Sequence, residues 1–427
     1  MAERMAGRND ADGAAEPPGM AWNLLAAVPR WAYAIFVLAA AIALLWALLG
    51  KPILQAAVTG LAVGSIYVLG ASGLSLTYGI KKFANFAHGD MMTVGAYAAF
   101  TVNVVLAQNI YLGVAFAILT VALLGILLEL SIFRRLEGRG PVPALIASVG
   151  VSLVLQNVVS AIFTTNVQYL RVSPPQDVAF LGLSFNVVKQ GVTLVVSAVL
   201  IVFLHVMLRY TTLGKAMRAC ADDMDLARTS GINVRNVILW TWAISGSFAA
   251  VAGVLLAVIV NVFPLLGFFV LLFIFAAVIV GGIGSPYGAM LGGLIIGIVQ
   301  KMSNVVFGQV QNVPIPLILL PAAVFLVAGL VGALIVSERR FRLGFSLLGA
   351  LGIGMVLATS LLQWSPLGFG RIEGGAEYEP VGAFLVMIAV LLLMPEGIMG
   401  ARRQAMGGRF AAAFRARGRT AEVKEPA

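Results

Sequence analysis

Four ionisable side chains interrupt otherwise apolar stretches of this sequence: His88, Asp90, Glu129 and His205. Charge at mid-depth in a bilayer is expensive, and where it occurs it commonly drives proton- or ion-coupled transport. Here all four sit near one end of their apolar runs, within reach of the headgroups. The midplanes stay almost free of charge, which argues against a secondary transporter. Asn85, His88 and Asp90 cluster where one such run begins. Asn85 is placed to cap free backbone donors, and Asp90 to complement the positive end of a helix dipole. His88 is placed to hydrogen-bond across helices, so the cluster is a candidate inner gate. Gln156 and Asn157 form the main deep polar pair, either interhelical hydrogen bonds or solute ligands.

Other chemistries lack their residues. Gly214-Lys215 is followed by Ala216 and preceded at 209 by Arg, so there is no phosphate-binding loop and no ATP hydrolysis in this chain. The single Cys220 cannot form an internal disulfide, and two histidines are too few for a histidine-ligated metal cluster. No nucleophile elbow is present either. The chain is not expected to be an enzyme, and no cofactor or metal is expected.

The elements that must position these residues are membrane helices. The chain has 427 residues, 60% hydrophobic and 11% charged, with a mean hydropathy of +0.99. A soluble protein carries roughly 25% charged residues, so this one could not cover a soluble surface. Disorder is excluded by the same numbers. A bilayer core needs about 20 apolar residues as a helix. Such runs occupy 31–49, 53–79, 85–108, 110–131, 141–165, 190–209, 237–260, 266–282, 286–304, 317–336, 343–363 and 380–396. The expected fold is therefore an all-α polytopic bundle of about twelve spans. No ten-residue alternation of the outer-membrane kind is visible.

Charge placement sets the orientation. With the N-terminus inside, only Lys51, Arg171, Lys189, Lys301 and Arg371 of the 28 basic residues fall outside. Both termini are thus expected in the cytoplasm. The net charge of +10 is topogenic, and no nucleic-acid partner is expected. Residues 1–30 read as a disordered leader. The run 31–49 reads as a retained helix, because Lys51-Pro52 offers no signal-peptide cleavage site. The tail 401–427 reads as a solvated basic segment, or as one lying on lipid.

Two segments between spans are patterned. Gly281, Gly282, Gly284, Pro286 and Gly288 break the helix within GGIGSPYGAMLGG, giving a tight turn or a re-entrant element. Gly60/Gly64 and Gly293/Gly297 are among the small-residue pairs that let helices approach closely. Across 211–236, Leu213, Ala216, Met217, Cys220, Met224 and Ala227 form one apolar stripe of an amphipathic helix. Gly231 is placed to stop this helix and Asn233 to cap the next one. This helix either lies at the interface or docks a cytoplasmic partner.

The run from Gly60 to Phe100, with NFAHGD at Asn85 to Asp90 (including Gly89) and GAY at 95–97, resembles the permeases of branched-chain amino acid ABC importers, the LivH type. Three further segments are similar to that family: LGKAMRACADDMDLARTSGINVRNVI at 213–238, VIVGGIGSPYGAMLGGLIIGIV at 278–299 and LLLMPEGIMG at 391–400. The resemblance implies a permease core over 53–304 and a last permease helix at 380–400. It implies that 211–236 is the ATPase-coupling loop, with Met217, Cys220, Met224, Asp225, Ala227 and Gly231 at the contact. It also implies a second, LivM-like permease, two cytoplasmic ABC ATPase subunits, an external solute-binding protein and a place in the inner membrane. The implied solute is a branched-chain or other hydrophobic amino acid, with urea or a short amide as the alternative. Three features depart from the family: Asp225-Leu226-Ala227 at its EAA position, the extra helix 31–49, and a helix pair inserted at 310–375.

Overall fold

The computed structural model describes residues 50–172, 177–180, 183–309, 379–393 and 397–398. The leader 1–30, the helix 31–49, the inserted pair 310–375 and the tail 401–427 lie outside the described residues. Within them the chain is an all-α membrane bundle. Its helices are α1 (Lys51–Lys81), α2 (Ala87–Phe100), α3 (Ile110–Ser131), α4 (Pro141–Phe163), α5 (Val192–Tyr210), α6 (Thr212–Asp222), α7 (Met224–Thr229), α8 (Val234–Val260), α9 (Leu266–Gly281), α10 (Pro286–Gln309) and α11 (Glu379–Leu393). Among the described residues, six helical stretches are long and apolar enough to cross a membrane, and α9 and α11 are shorter apolar helices.

Local chemistry sets the helix ends. Gly50 is left-handed (φ 72°) and Pro52 opens α1, while Gly140 (φ 85°) and Pro141 do the same for α4. Asn109, Thr211, Asp223 and Asn233 cap α3, α6, α7 and α8 with side-chain oxygens. Asn233 thus takes the capping place expected of it, and Gly231 (φ 84°) ends α7 in the left-handed conformation.

The centre of the bundle is α2, surrounded by α3, α4, α8 and α9. Every residue of α2 but Val94 is buried. Helices α1 and α8 are also covered over most of their length, whereas α3, α4 and α5 turn most of their surface outward. Lipid gives no hydrophobic drive for helices to associate, so close packing must do it. The glycine pairs supply that packing. A Cβ at Gly60 would stand 2.6 Å from Ile298 Cα, and one at Gly293 would stand 2.7 Å from the Val68 nitrogen. The two pairs named from sequence therefore face each other across α1 and α10.

Three features differ from the sequence reading. An antiparallel hairpin, β1 (Asp177–Phe180) with β2 (Leu183–Asn186), stands between α4 and α5. It is tied to α1, where Gln55 bonds the backbone of Ser184 in both directions, at 2.6 and 2.9 Å. The expected span 85–108 starts at Ala87 and closes in a wide π-helical turn, Thr101–Val105. Finally, 211–236 holds two helices instead of one. Asp223 is extended (φ −151°) and its carboxylate accepts from the Asp225 and Leu226 amides, so it ends α6 and starts α7.

Candidate functional site

The segment Asn85 to Asp90 sends successive side chains to different neighbours. The Asn85 side chain accepts from the Ala87 amide at 3.1 Å. His88 Nε2 lies 2.9 Å from the Gly70 carbonyl on α1. A carbonyl can only accept, so the proton sits on Nε2. The ring fits because Gly73 has no side chain: a Cβ there would stand 3.0 Å from His88 Cε1 and 3.0 Å from the Ser245 carbonyl. Ser245 on α8 in turn donates to the Gly73 carbonyl at 2.8 Å. Gly89 faces α9, where a Cβ would press on the Gly267 carbonyl.

Asp90 points away from His88, because two residues turn a helix by about 200°. Its carboxylate accepts from Ser152 on α4, and Gln156 donates to Ser152 at 3.3 Å. The second carboxylate oxygen of Asp90 is buried without a hydrogen-bond partner. One turn back along α4, Ser148 accepts from the Phe86 amide at 3.0 Å. The polar face of α4 is thus a seam of Ser148, Ser152 and Gln156 against the start of α2. Asn157 does not join it. Its side chain is exposed and bonds the Leu153 carbonyl of its own helix at 2.7 Å, because one further residue turns it about 100° off the seam. Of the expected pair only Gln156 lies on the seam, and its bond to Ser152 stays within α4.

At the same end of the bundle, the glycine-rich segment is a turn of four residues between α9 and α10. Gly282 (φ 109°) and Gly284 (φ 79°) take conformations that glycine adopts freely, and Pro286 begins α10. The flanks close tightly, since a Cβ at Gly281 would overlap the Gly288 carbonyl. Gly397, beyond α11, packs on Gly282.

In 211–236 the apolar stripe faces inward. Met217 (2% exposed), Cys220 (2%) and Ala227 (3%) pack into the chain's own core, with α6 lying against α5, α8 and α1. The expectation that this stripe fills a groove on another protein is corrected accordingly: it is already covered. The outer face carries Lys215, Arg218, Asp222, Asp225, Arg228 and Gly231, with one large apolar side chain, Leu226, 65% exposed. Met224 lies between the two faces, half-buried.

The family model described as the branched-chain amino acid transport system permease component matches residues 56–327. The chain belongs to this family. Among relatives, the permease is 36% identical to the high-affinity branched-chain amino acid transport system permease protein BraD of Pseudomonas aeruginosa, over 60% of this chain and 88% of that protein. It is 34% identical to LivH of Escherichia coli K12, over 59% of this chain and 86% of LivH. It is 32% identical to a probable LivH of Methanocaldococcus jannaschii, over 59% of this chain and 80% of that protein. No solved structure matches the chain. It is a multi-pass cell-membrane protein, the permease component of an ABC import system, and the expected resemblance to LivH-type permeases holds.

Sequence reasoning missed two features of this permease. Ser148, Ser152, Gln156 and Ser160 recur every four residues on α4, a helical polar stripe that periodicity alone would reveal. The second is the buried ion pair of Lys81 with Glu129, 2.7 Å apart. Glu129 stood out as a charge in an apolar run, but its partner lies on another helix, which no spacing within the sequence encodes.

Proposed function

We propose that this permease is one of two transmembrane subunits of an ATP-driven importer for branched-chain or other hydrophobic amino acids. A second, LivM-like permease completes the channel, two cytoplasmic ABC ATPases drive it, and an external solute-binding protein delivers the solute. The observation that carries this reading is the similarity to BraD and LivH over most of their lengths. The end of the bundle bearing Lys81, Lys82, Arg134, Arg135 and α6–α7 is the cytoplasmic one, supported by its share of basic residues. Twelve spans with both termini inside complete this topology. Reporter fusions at 340 and 410 then read inside, and a fusion at 370 reads outside.

In this reading α6 and α7 dock the ATPase through their outer face. Leu226 enters an apolar socket, and Asp222, Asp225 and Arg228 set the register around it, as rim charges do. The start of α2 with the α4 seam (Asn85, His88, Gly89, Asp90, Gln156) shapes the inner gate, and the turn from Gly281 to Gly288 closes the hairpin beside it. The experiment is uptake by proteoliposomes holding both permeases and both ATPases, fed with the loaded binding protein. ATP-dependent uptake of leucine, isoleucine or valine supports the reading. Uptake of urea or a short amide in their place assigns the alternative solute.

A further inference from the structure

The end of α1 carries two adjacent lysines that turn in opposite directions. Lys81, the last residue of the helix, points inward to Glu129 at 2.7 Å, with Glu137 at 3.8 Å. Lys82 is left-handed, with φ 57° and ψ 27°, and its amide closes the helix on the Tyr78 carbonyl at 2.9 Å. Glycine takes this conformation freely, whereas a side chain makes it costly. A residue held in such a state is a pointer to a role for its side chain. That side chain reaches α6: Lys82 Nζ donates to the Ala221 carbonyl at 2.9 Å.

The contact falls where an α-helix has carbonyls without partners. Ala221 is the penultimate residue of α6, and the extended Asp223 stops the helix there. A cation on these carbonyls also meets the negative end of the helix dipole. One other element, the glycine turn, comes close to the same place. A Cβ at Gly79 would stand 3.9 Å from the Ala221 side chain and 3.8 Å from the Gly284 carbonyl of the glycine turn. On its inner side the end of α1 is anchored by the Lys81–Glu129 pair and by a buried aromatic stack. Phe83 stacks on Phe133 with centroids 5.1 Å apart, and Phe133 on Trp242 at 4.9 Å. Lys82 therefore joins α6 to a rigid knot of α1, α3 and α8. From α1 the contacts run on to the central helix through Gly70 and His88.

We infer that Lys82 is a positioning residue that clasps the end of α6 to the end of α1, so that displacement of α6 moves the helices lining the gate. This deepens the proposed docking of the ATPase on α6–α7 and rests on it. The experiment compares Lys82→Gly, Lys82→Met and Lys82→Arg in the complete reconstituted complex, reading uptake, ATP hydrolysis and copurification of the ATPase. Glycine relieves the backbone while removing the clasp, so a merely structural Lys82 would leave Lys82→Gly at wild-type uptake or better. The expected result is a drop of about threefold to tenfold in uptake per ATP hydrolysed for the Gly and Met variants, with ATPase copurification unchanged and Arg restoring most of the coupling. Wild-type uptake per ATP in both variants overturns the inference, and so does loss of ATPase copurification together with uptake. The docking reading is tested apart: if Leu226→Asp keeps the ATPase bound, that reading fails whatever Lys82 does.

Discussion

The imidazole of His88 donates from Nε2 to the Gly70 carbonyl 2.9 Å away, and the missing side chain of Gly73 makes room for its ring. Three helices meet there, since Ser245 of α8 bonds the carbonyl of the same Gly73 at 2.8 Å. His88→Ala removes the imidazole donor from the Gly70 carbonyl and opens a void between α1, α2 and α8. We expect a loss of about 1–3 kcal/mol in stability. Gly73→Ala should destabilise to a similar degree by pressing on both neighbours. The survival of monodisperse permease after heating in detergent, followed by size-exclusion chromatography, checks both.

Asp90 and Ser152 offer a test of the gate. Asp90→Asn keeps an oxygen that can accept from Ser152 and preserves side-chain volume, so the protein should reach the membrane in normal amount. Removing the carboxylate from the seam should nevertheless reduce uptake about tenfold, the scale of a small change in gating equilibrium. Wild-type uptake by Asp90→Asn would reduce this residue to a complement of the helix dipole.

Two substitutions on opposite faces of α6–α7 separate docking from folding. Leu226 is 65% exposed and Met217 is 2% exposed. Leu226→Asp should leave thermal stability within about 0.5 kcal/mol, as surface changes usually do. It should release the ATPase during purification. Met217→Asp puts a charge into the core, and the expected result is little or no folded permease. Ala227→Trp belongs with Met217, because Ala227 is buried in this chain's own packing.

Cys220 has a pH signature. Burial on the inner face of α6 pushes its thiol up, so less of it is the reactive thiolate at any given pH. Maleimide labelling of the folded permease at pH 7 should therefore be slow. Unfolding in detergent with denaturant should accelerate it, and raising the pH should increase the folded rate only well into the alkaline range. Fast labelling of the folded protein at pH 7 would show that α6 detaches from the core, and would also make Cys220 usable as a crosslinking site.

Much of the fold is legible without coordinates because its signals are local. Gly50-Lys51-Pro52, Gly140-Pro141 and the glycines around Pro286 are breaks that no distant contact needs to create. The hairpin at 177–186 is not legible in the sequence because four-residue strands are too short for their alternation to mark them. The break at Asp223 escaped because an apolar stripe continues in register across it, while the capping carboxylate looks like one more surface charge.

By itself the sequence determined that this is a helical membrane protein, roughly where most of its described membrane helices lie, and which family it belongs to. Apolar length, capping residues and ordered motifs are properties of neighbouring residues, and the chain carries them folded or not. Only the tertiary structure decided which way each side chain faces. His88 and Asp90 are two residues apart yet serve α1 and α4, and the stripe from Met217 to Ala227 packs on its own protein. The physical reason is that an apolar face is satisfied by any apolar partner, whether core, lipid or another subunit. Periodicity reveals the face, and only packing reveals what covers it.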